Sequence, residues 1–167
     1  MRISKHISYN EGVYSATAKR LHLNNTPNEE QLYAMNNVAE FIFEPLRLFV
    51  GGAIKINSFY RSKEVNKAVG GSGKSQHCKG QAIDIDDVFG HKTNAEMFEY
   101  IRENLDFDQL IWEFGSNDNP NWVHVSYVSK QKQSFKSNKR KRKNKIRNIL
   151  NGLFNYTFIT KRNQYRI

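Results

Sequence analysis

The chain of 167 residues holds a single cysteine, Cys78. No intrachain disulfide can form, a cysteine-only zinc cluster is excluded, and this usage suits synthesis in a reducing compartment. Long hydrophobic runs are missing too. No stretch of roughly 18 apolar residues occurs, so no transmembrane segment is expected. The opening MRISKHISYNEG lacks an apolar region, and no secretory signal is expected from it. Acid is absent from residues 130–167, which carry 13 Lys and Arg, whereas residues 1–129 carry 13 basic and 16 acidic residues. The formal charge of +10 therefore divides into a mildly acidic body and a basic tail. What is present, 38% hydrophobic and 13% aromatic residues, suffices for a real core.

Length and charge divide the chain into one domain over 1–129 and a basic C-terminal extension over 130–167. A helix is expected from about Pro27 to Phe49, with Thr26 as cap, Pro27 in the first turn, and Glu29 and Glu30 at the positive end of the dipole. Leu32, Met35, Val38, Ala39, Ile42, Phe43 and Leu46 share one face. Gly51 and Gly52 stop the helix, and Pro45 predicts a kink or break within it. AIKINSF, QAIDID, DQLIWEF and NWVHVSY read as strands, KEVNKAV as a short helix, and Thr93–Asn104 as an amphipathic helix. GSGKSQHCKG is a glycine-rich loop. Mixed helices and strands, the last two strands near neighbours, give an α+β class. In the tail, KSNKRKRKNKIRNIL repels itself and is expected to stay solvated or to become helical only on contact.

Strand alternation puts Ala82, Asp84 and Asp86 on one face and Ile83 and Ile85 on the other. It does the same for Trp122, His124 and Ser126 against Val123, Val125 and Tyr127. Should the two strands lie close, Asp84 and His124 converge, and His77 can reach in from the loop. Two imidazoles and one carboxylate leave a tetrahedral ion one open position, the layout of a catalytic rather than a structural zinc site. The two imidazoles favour zinc or a similar transition ion over magnesium or calcium. Such a site keeps a net positive charge, which lowers a bound water's pKa to roughly 7. Glu113, on the strand leading to His124, is the candidate general base, with Asp118 in the intervening turn as reserve. Blander readings stand beside these: Asp84 and His77 as a surface pair, His77 satisfying a loop carbonyl, Asp86 and Asp87 as a turn pair, Cys78 as a small filler. His6, His22 and His91 have no acidic or histidine neighbour at useful spacing and read as surface residues.

INSFYRSKEVNKAVGGSGKSQHCKGQAIDI, followed by DQLIWEF and NWVHVSY, resembles the M15 peptidases, specifically their small phage and bacterial branch with the hedgehog/DD-peptidase fold. ISKHISYNEG, SATA, NTPNEEQ and EPLR also fall in that family's order, so the resemblance covers about residues 1–129. It implies a mainly antiparallel sheet flanked by helices. The family pattern SxHxxGxAxD…WxH corresponds here to Ser75, His77, Gly80, Ala82, Asp84, Trp122 and His124. By resemblance His77, Asp84 and His124 bind one Zn2+, Arg61 holds substrate oxygens and supports the oxyanion, Trp122 contacts substrate, and Ser75 orients substrate or the loop, or is simply a turn residue. Arginine suits that place because its charge is permanent and its fork fixed. Two departures stand out. Phe59 replaces a small residue found in many relatives, and would narrow the cleft if it faced it. Asn121 occupies the position three before the last histidine, where some branches carry the catalytic acid, which leaves the role to Glu113.

The implied activity is hydrolysis of peptide bonds in bacterial peptidoglycan stem peptides, as carboxypeptidase or endopeptidase. Without a signal, such an enzyme would reach the cell wall after lysis or as part of a virion, as a phage endolysin does. One rival is a catalytically inactive zinc-containing wall-binding module. The other is a tail-driven partner of polyanions, in which residues 130–167 contact a wall polymer, nucleic acid or an acidic protein surface, as in a virion component.

Overall fold

The computed structural model describes residues 1–128 and the backbone of 134–138. The chain opens with two short helices, α1 (Tyr9–Val13) and α2 (Ala16–Leu21), and then enters the long apolar-faced segment. That segment begins two residues later than its proline suggests. Asn28, not Thr26, is the cap: its side chain accepts from the Gln31 N–H while the Gln31 side chain accepts from the Asn28 N–H, a reciprocal capping box that opens α3 (Glu29–Val38).

Pro45 acts upstream of itself. An α-helical proline ring would collide with the carbonyl four residues before it. The backbone answers with one wide π-helical turn over Ala39–Phe43, where the Glu44 N–H reaches the Ala39 carbonyl, before α4 (Glu44–Val50) resumes with Pro45 in its first turn. The helix is thus widened rather than ended, and Ala39, Ile42 and Phe43 stay buried through the irregular turn. Glu44 also fixes the N-terminus: the His6 N–H donates to its Oε1 at 2.8 Å, and His6 Nδ1 lies 2.6 Å from its Oε2. The surface reading of His6 is corrected here, because its partner lies 38 residues away, beyond any local spacing rule.

Four strands form the expected antiparallel sheet: β1 (Lys55–Ser58), β2 (Ala82–Asp86), β3 (Gln109–Glu113) and β4 (Trp122–Ser126), in the order β1-β2-β4-β3. Between them run α5 (Lys63–Ala68), a 3-10 turn at Gln76–Lys79, and α6 (Asn94–Asn104), which Thr93 caps with Glu96. A fifth strand, β5 (Ser134–Asn138), lies beyond the 129/130 charge boundary and joins the edge parallel to β3. That strand takes in residues 136–138, the start of the segment expected to stay solvated or turn helical, and corrects that expectation there; the tail readings for 139–167 fall outside the described residues.

Ile83, Ile85, Leu110, Val123 and Val125 are fully buried on one sheet face, in one core with Met35, Val38, Ile42, Leu46, Met97 and Ile101 from the helices. The fold is α+β. Its apolar face anchors the sheet and leaves the opposite face, with the alternate residues, for chemistry. Phe59 belongs to the core as well, at 0% exposure. It does not narrow the cleft: the register of β1 shifts between Ile56 and Ser58, which sets Ser58 opposite Asp84 and the next side chain on the core face.

Gly80 joins the 3-10 turn to β2 with φ +70°, and a Cβ there would collide with the Gln31 carbonyl oxygen on α3. Only glycine satisfies both demands at once. Gly80→Ala is expected to cost about 2 kcal/mol or more, read from the denaturant midpoint. An unchanged midpoint would contradict this packing.

Candidate metal centre

β2 and β4 are direct neighbours, and their register sets Asp84 opposite His124. The convergence expected from alternation is therefore built by two adjacent strands. The third side chain comes from the 3-10 turn, which presents His77 at 2% exposure. His124 Nδ1 lies 2.8 Å from Asp84 Oδ1, His77 Nε2 lies 3.2 Å from Asp84 Oδ2, and the two ring nitrogens are 3.2 Å apart. One donor atom from each of the three residues lies within 4.8 Å of the others.

The tautomer of His77 follows from its other nitrogen. Nδ1 stands 2.7 Å from the Phe59 carbonyl oxygen, which can only accept, so Nδ1 carries a proton and donates. In the neutral ring, Nε2 then turns a lone pair toward the Asp84 carboxylate. His124 Nδ1 stands 3.2 Å from the same nitrogen, so that lone pair points in among the other two donor atoms of the cluster, where one cation could be shared. The loop-carbonyl reading of His77 is thus correct for one nitrogen and leaves the other free to ligate. A backbone carbonyl orienting the far side of an imidazole is also a recurrent second partner in metal sites. By donor chemistry, charge and spacing the three residues fit a zinc-like ion.

Burial by itself pushes the Asp84 carboxyl up. The charge of His77, the hydrogen bonds from His124 and His77, and the charge of His124 outweigh burial and hold it well below the ordinary carboxylate range. A carboxyl depressed in the folded state stabilises the fold above its unfolded pKa, near 4, and that stabilisation drains away as pH falls further. Metal-free protein should therefore lose stability below about pH 4 more steeply than its Asp84→Asn variant. Parallel acid limbs in urea titrations would show that Asp84 contributes nothing.

A cleft of about 820 Å³ opens above the three residues, and Arg61, Ser75, Glu113 and Trp122 also line it. Arg61 follows β1, and its Nη2 approaches Asp84 Oδ2 at 3.9 Å. Its Nε is buried and has no hydrogen-bond acceptor among the described residues. Ser75 caps the 3-10 turn by position, without a side-chain cap bond. Glu113 ends β3 opposite Trp122, two positions along from the Ile111–His124 pair, and so shares the face that bears Asp84 and His124. Its Cβ lies roughly 7 Å from that of His124 by this diagonal placement. Asp118 is exposed on the turn after β3 and is absent from the cleft wall.

Cys78 is neither among the three converging donors nor in the cleft lining. Burial pushes its thiol pKa up, and the Arg61 and Lys63 charges offset that only in part. The thiol is half-buried and lines hollows outside the metal cleft. Asp87 is a turn residue, its carboxylate accepting from the Phe89 and Lys92 N–H groups, while Asp86 accepts from the Asn94 side chain at 2.9 Å.

Two cleft residues escaped the sequence. Asp108 Oδ2 accepts from Gln76 Nε2 at 2.5 Å and lies 3.5 Å from Ser126 Oγ, which ties the turn carrying His77 to the end of β4. A carboxylate opening the strand next to His124 was the available signal. Phe114 holds φ 55° and tilts against Trp122 with ring centroids 5.2 Å apart. Its left-handed backbone had no cue in composition.

The family model described as peptidase M15 matches residues 5–126, most of the chain. The chain belongs to the peptidase M15 family. Membership makes it a peptidase, and M15 peptidases are typically zinc-dependent, in keeping with the donor set at His77, Asp84 and His124. Among curated proteins, none matches the chain significantly. In this M15 chain, no helix among the described residues is long and apolar enough to cross a membrane.

Proposed function

We propose that this M15 peptidase is a zinc-dependent hydrolase of peptide bonds in bacterial peptidoglycan stem peptides, serving cell-wall lysis in the manner of a phage lysin. The observation that carries the reading is the His77–Asp84–His124 cluster, two buried imidazoles and a half-buried carboxylate lining an open cleft. His77, Asp84 and His124 would hold one zinc ion. When bound, that ion supplies a Lewis acid that polarises the scissile carbonyl and acidifies water.

The remaining work falls to the chain's own side chains. The Glu113 carboxylate takes the proton from the attacking water and returns it to the departing amine. Arg61 has an unsatisfied, buried Nε–H to offer, and a guanidinium aimed at developing negative charge gains most where water is excluded. Trp122 gives the substrate an apolar wall, and Ser75 orients the substrate or the loop. The protein would act at the wall after release by lysis or as part of a virion.

Digestion of purified peptidoglycan followed by mass spectrometry of the products tests the reading and identifies the bond. New amino and carboxyl termini within stem peptides are expected. If the protein carries stoichiometric zinc and the digest shows no new termini, the zinc-containing binding module replaces the peptidase.

A further inference from the structure

Behind the metal cleft lies a second hollow of about 490 Å³, and four lysines line it: Lys63, Lys67, Lys74 and Lys79. Three separate elements supply them: the first and last turns of α5, the glycine-rich loop, and the end of the 3-10 turn. All four side chains are exposed. The ion pairs of the described residues involve His6, Arg61, His77, Lys92, Arg102 and His124, and leave these ammonium groups out. Glu64, the acid on α5, lines a neighbouring hollow instead.

Hollow and cleft share Gly70, Gly71, Lys74 and Ser75, so the loop forms the ridge between them. That ridge is bare of side chains at its glycines. A Cβ on Gly71 would strike Asn66 Oδ1, and Asn66 cannot yield easily, being 4% exposed with its Nδ2 donating to the Ser72 carbonyl at 2.9 Å. Gly70 holds φ +71° with open space above it. An extended chain can therefore pass from the cleft over this saddle.

We propose that the basic hollow binds a carboxylate-rich segment of the same peptide substrate whose scissile bond occupies the metal cleft. This rests on the peptidase reading. Because the two depressions share the rim of Gly70, Gly71, Lys74 and Ser75, a peptide long enough to cross that rim from the cleft reaches the hollow, and a peptide's anionic groups are carboxylates. Lysines fit such a segment. Ammonium groups are mobile point charges that read density of negative charge, whereas a single fixed carboxylate is better matched by an arginine fork.

The test compares peptidoglycan with the same material after carbodiimide amidation of its carboxylates, in co-sedimentation assays on a Glu113→Gln background so that nothing is consumed. Lys67→Glu with Lys79→Glu, neither of which lines the metal cleft, should weaken binding to native peptidoglycan about tenfold and leave binding to amidated material unchanged. Binding of the unsubstituted background to native material should weaken with salt over the range where the screening length falls below about 10 Å. Equal weakening on both materials, or no weakening, overturns the proposal. Turnover of native peptidoglycan by the wild-type chain separately tests the peptidase reading, so the two failures are distinguishable.

Discussion

Glu113→Gln should reduce kcat on peptidoglycan about 10²- to 10⁴-fold while zinc content stays at that of the wild type. The substitution keeps the size and hydrogen-bonding reach of the side chain and removes only its ability to carry a proton between water and leaving amine. Glu113 shares the sheet face of Asp84 and His124 and lines the cleft, and it is not one of the three converging donors. Rate and metal content should therefore separate. If the variant keeps full activity, Glu113 is not the base. If it loses zinc in proportion to activity, its role is to hold the site together.

The second large effect concerns the metal. In wild-type protein, zinc at a hundred times its dissociation constant should raise stability by about 2.7 kcal/mol through mass action alone, and a chelator should reverse it. His124→Ala should abolish both that response and hydrolysis. The metal-free variant pays in addition: Asp84 loses the hydrogen bond at 2.8 Å, and a buried acceptor left without one partner costs about 1–3 kcal/mol. A double comparison, wild type and variant with and without zinc, isolates the metal-dependent part. Should zinc stabilise the two proteins equally, it binds somewhere other than this cluster. A large stability response in wild-type protein, with no turnover under any condition, would instead favour the binding-module rival.

Much of this centre was legible because strands state their own geometry. A period of two fixes which residues share a face, so Asp84 and His124 declared a common side before their strands were known to be neighbours. The apolar partners at 83, 85, 123 and 125 then locked that side outward, since a register slip would bury the ligands and expose the valines and isoleucines. The features that stayed hidden depend on contacts distant in sequence or on backbone detail. His6 meets Glu44 across 38 residues, and Asp108 meets Gln76 across 32. Pro45 announced an irregularity, but its form, a π turn upstream, depends on keeping Ile42 and Phe43 in the core. Phe59 stands where many relatives carry a small residue, and it would have narrowed the cleft had it faced it. An irregularity in β1 between Ile56 and Ser58 instead sets Ser58 opposite Asp84, so the next ring points inward and the Phe59 carbonyl orients His77.

Zinc-edge X-ray absorption on the metal-loaded protein bears most directly on the claim that His77, Asp84 and His124 grip one ion. Imidazole and oxygen scatterers are expected at roughly 2.0–2.2 Å, with the imidazole signal diminished or the metal lost in His124→Ala. A sulfur shell near about 2.3 Å, which only Cys78 or a methionine could supply, or a spectrum indifferent to His124→Ala, would contradict it.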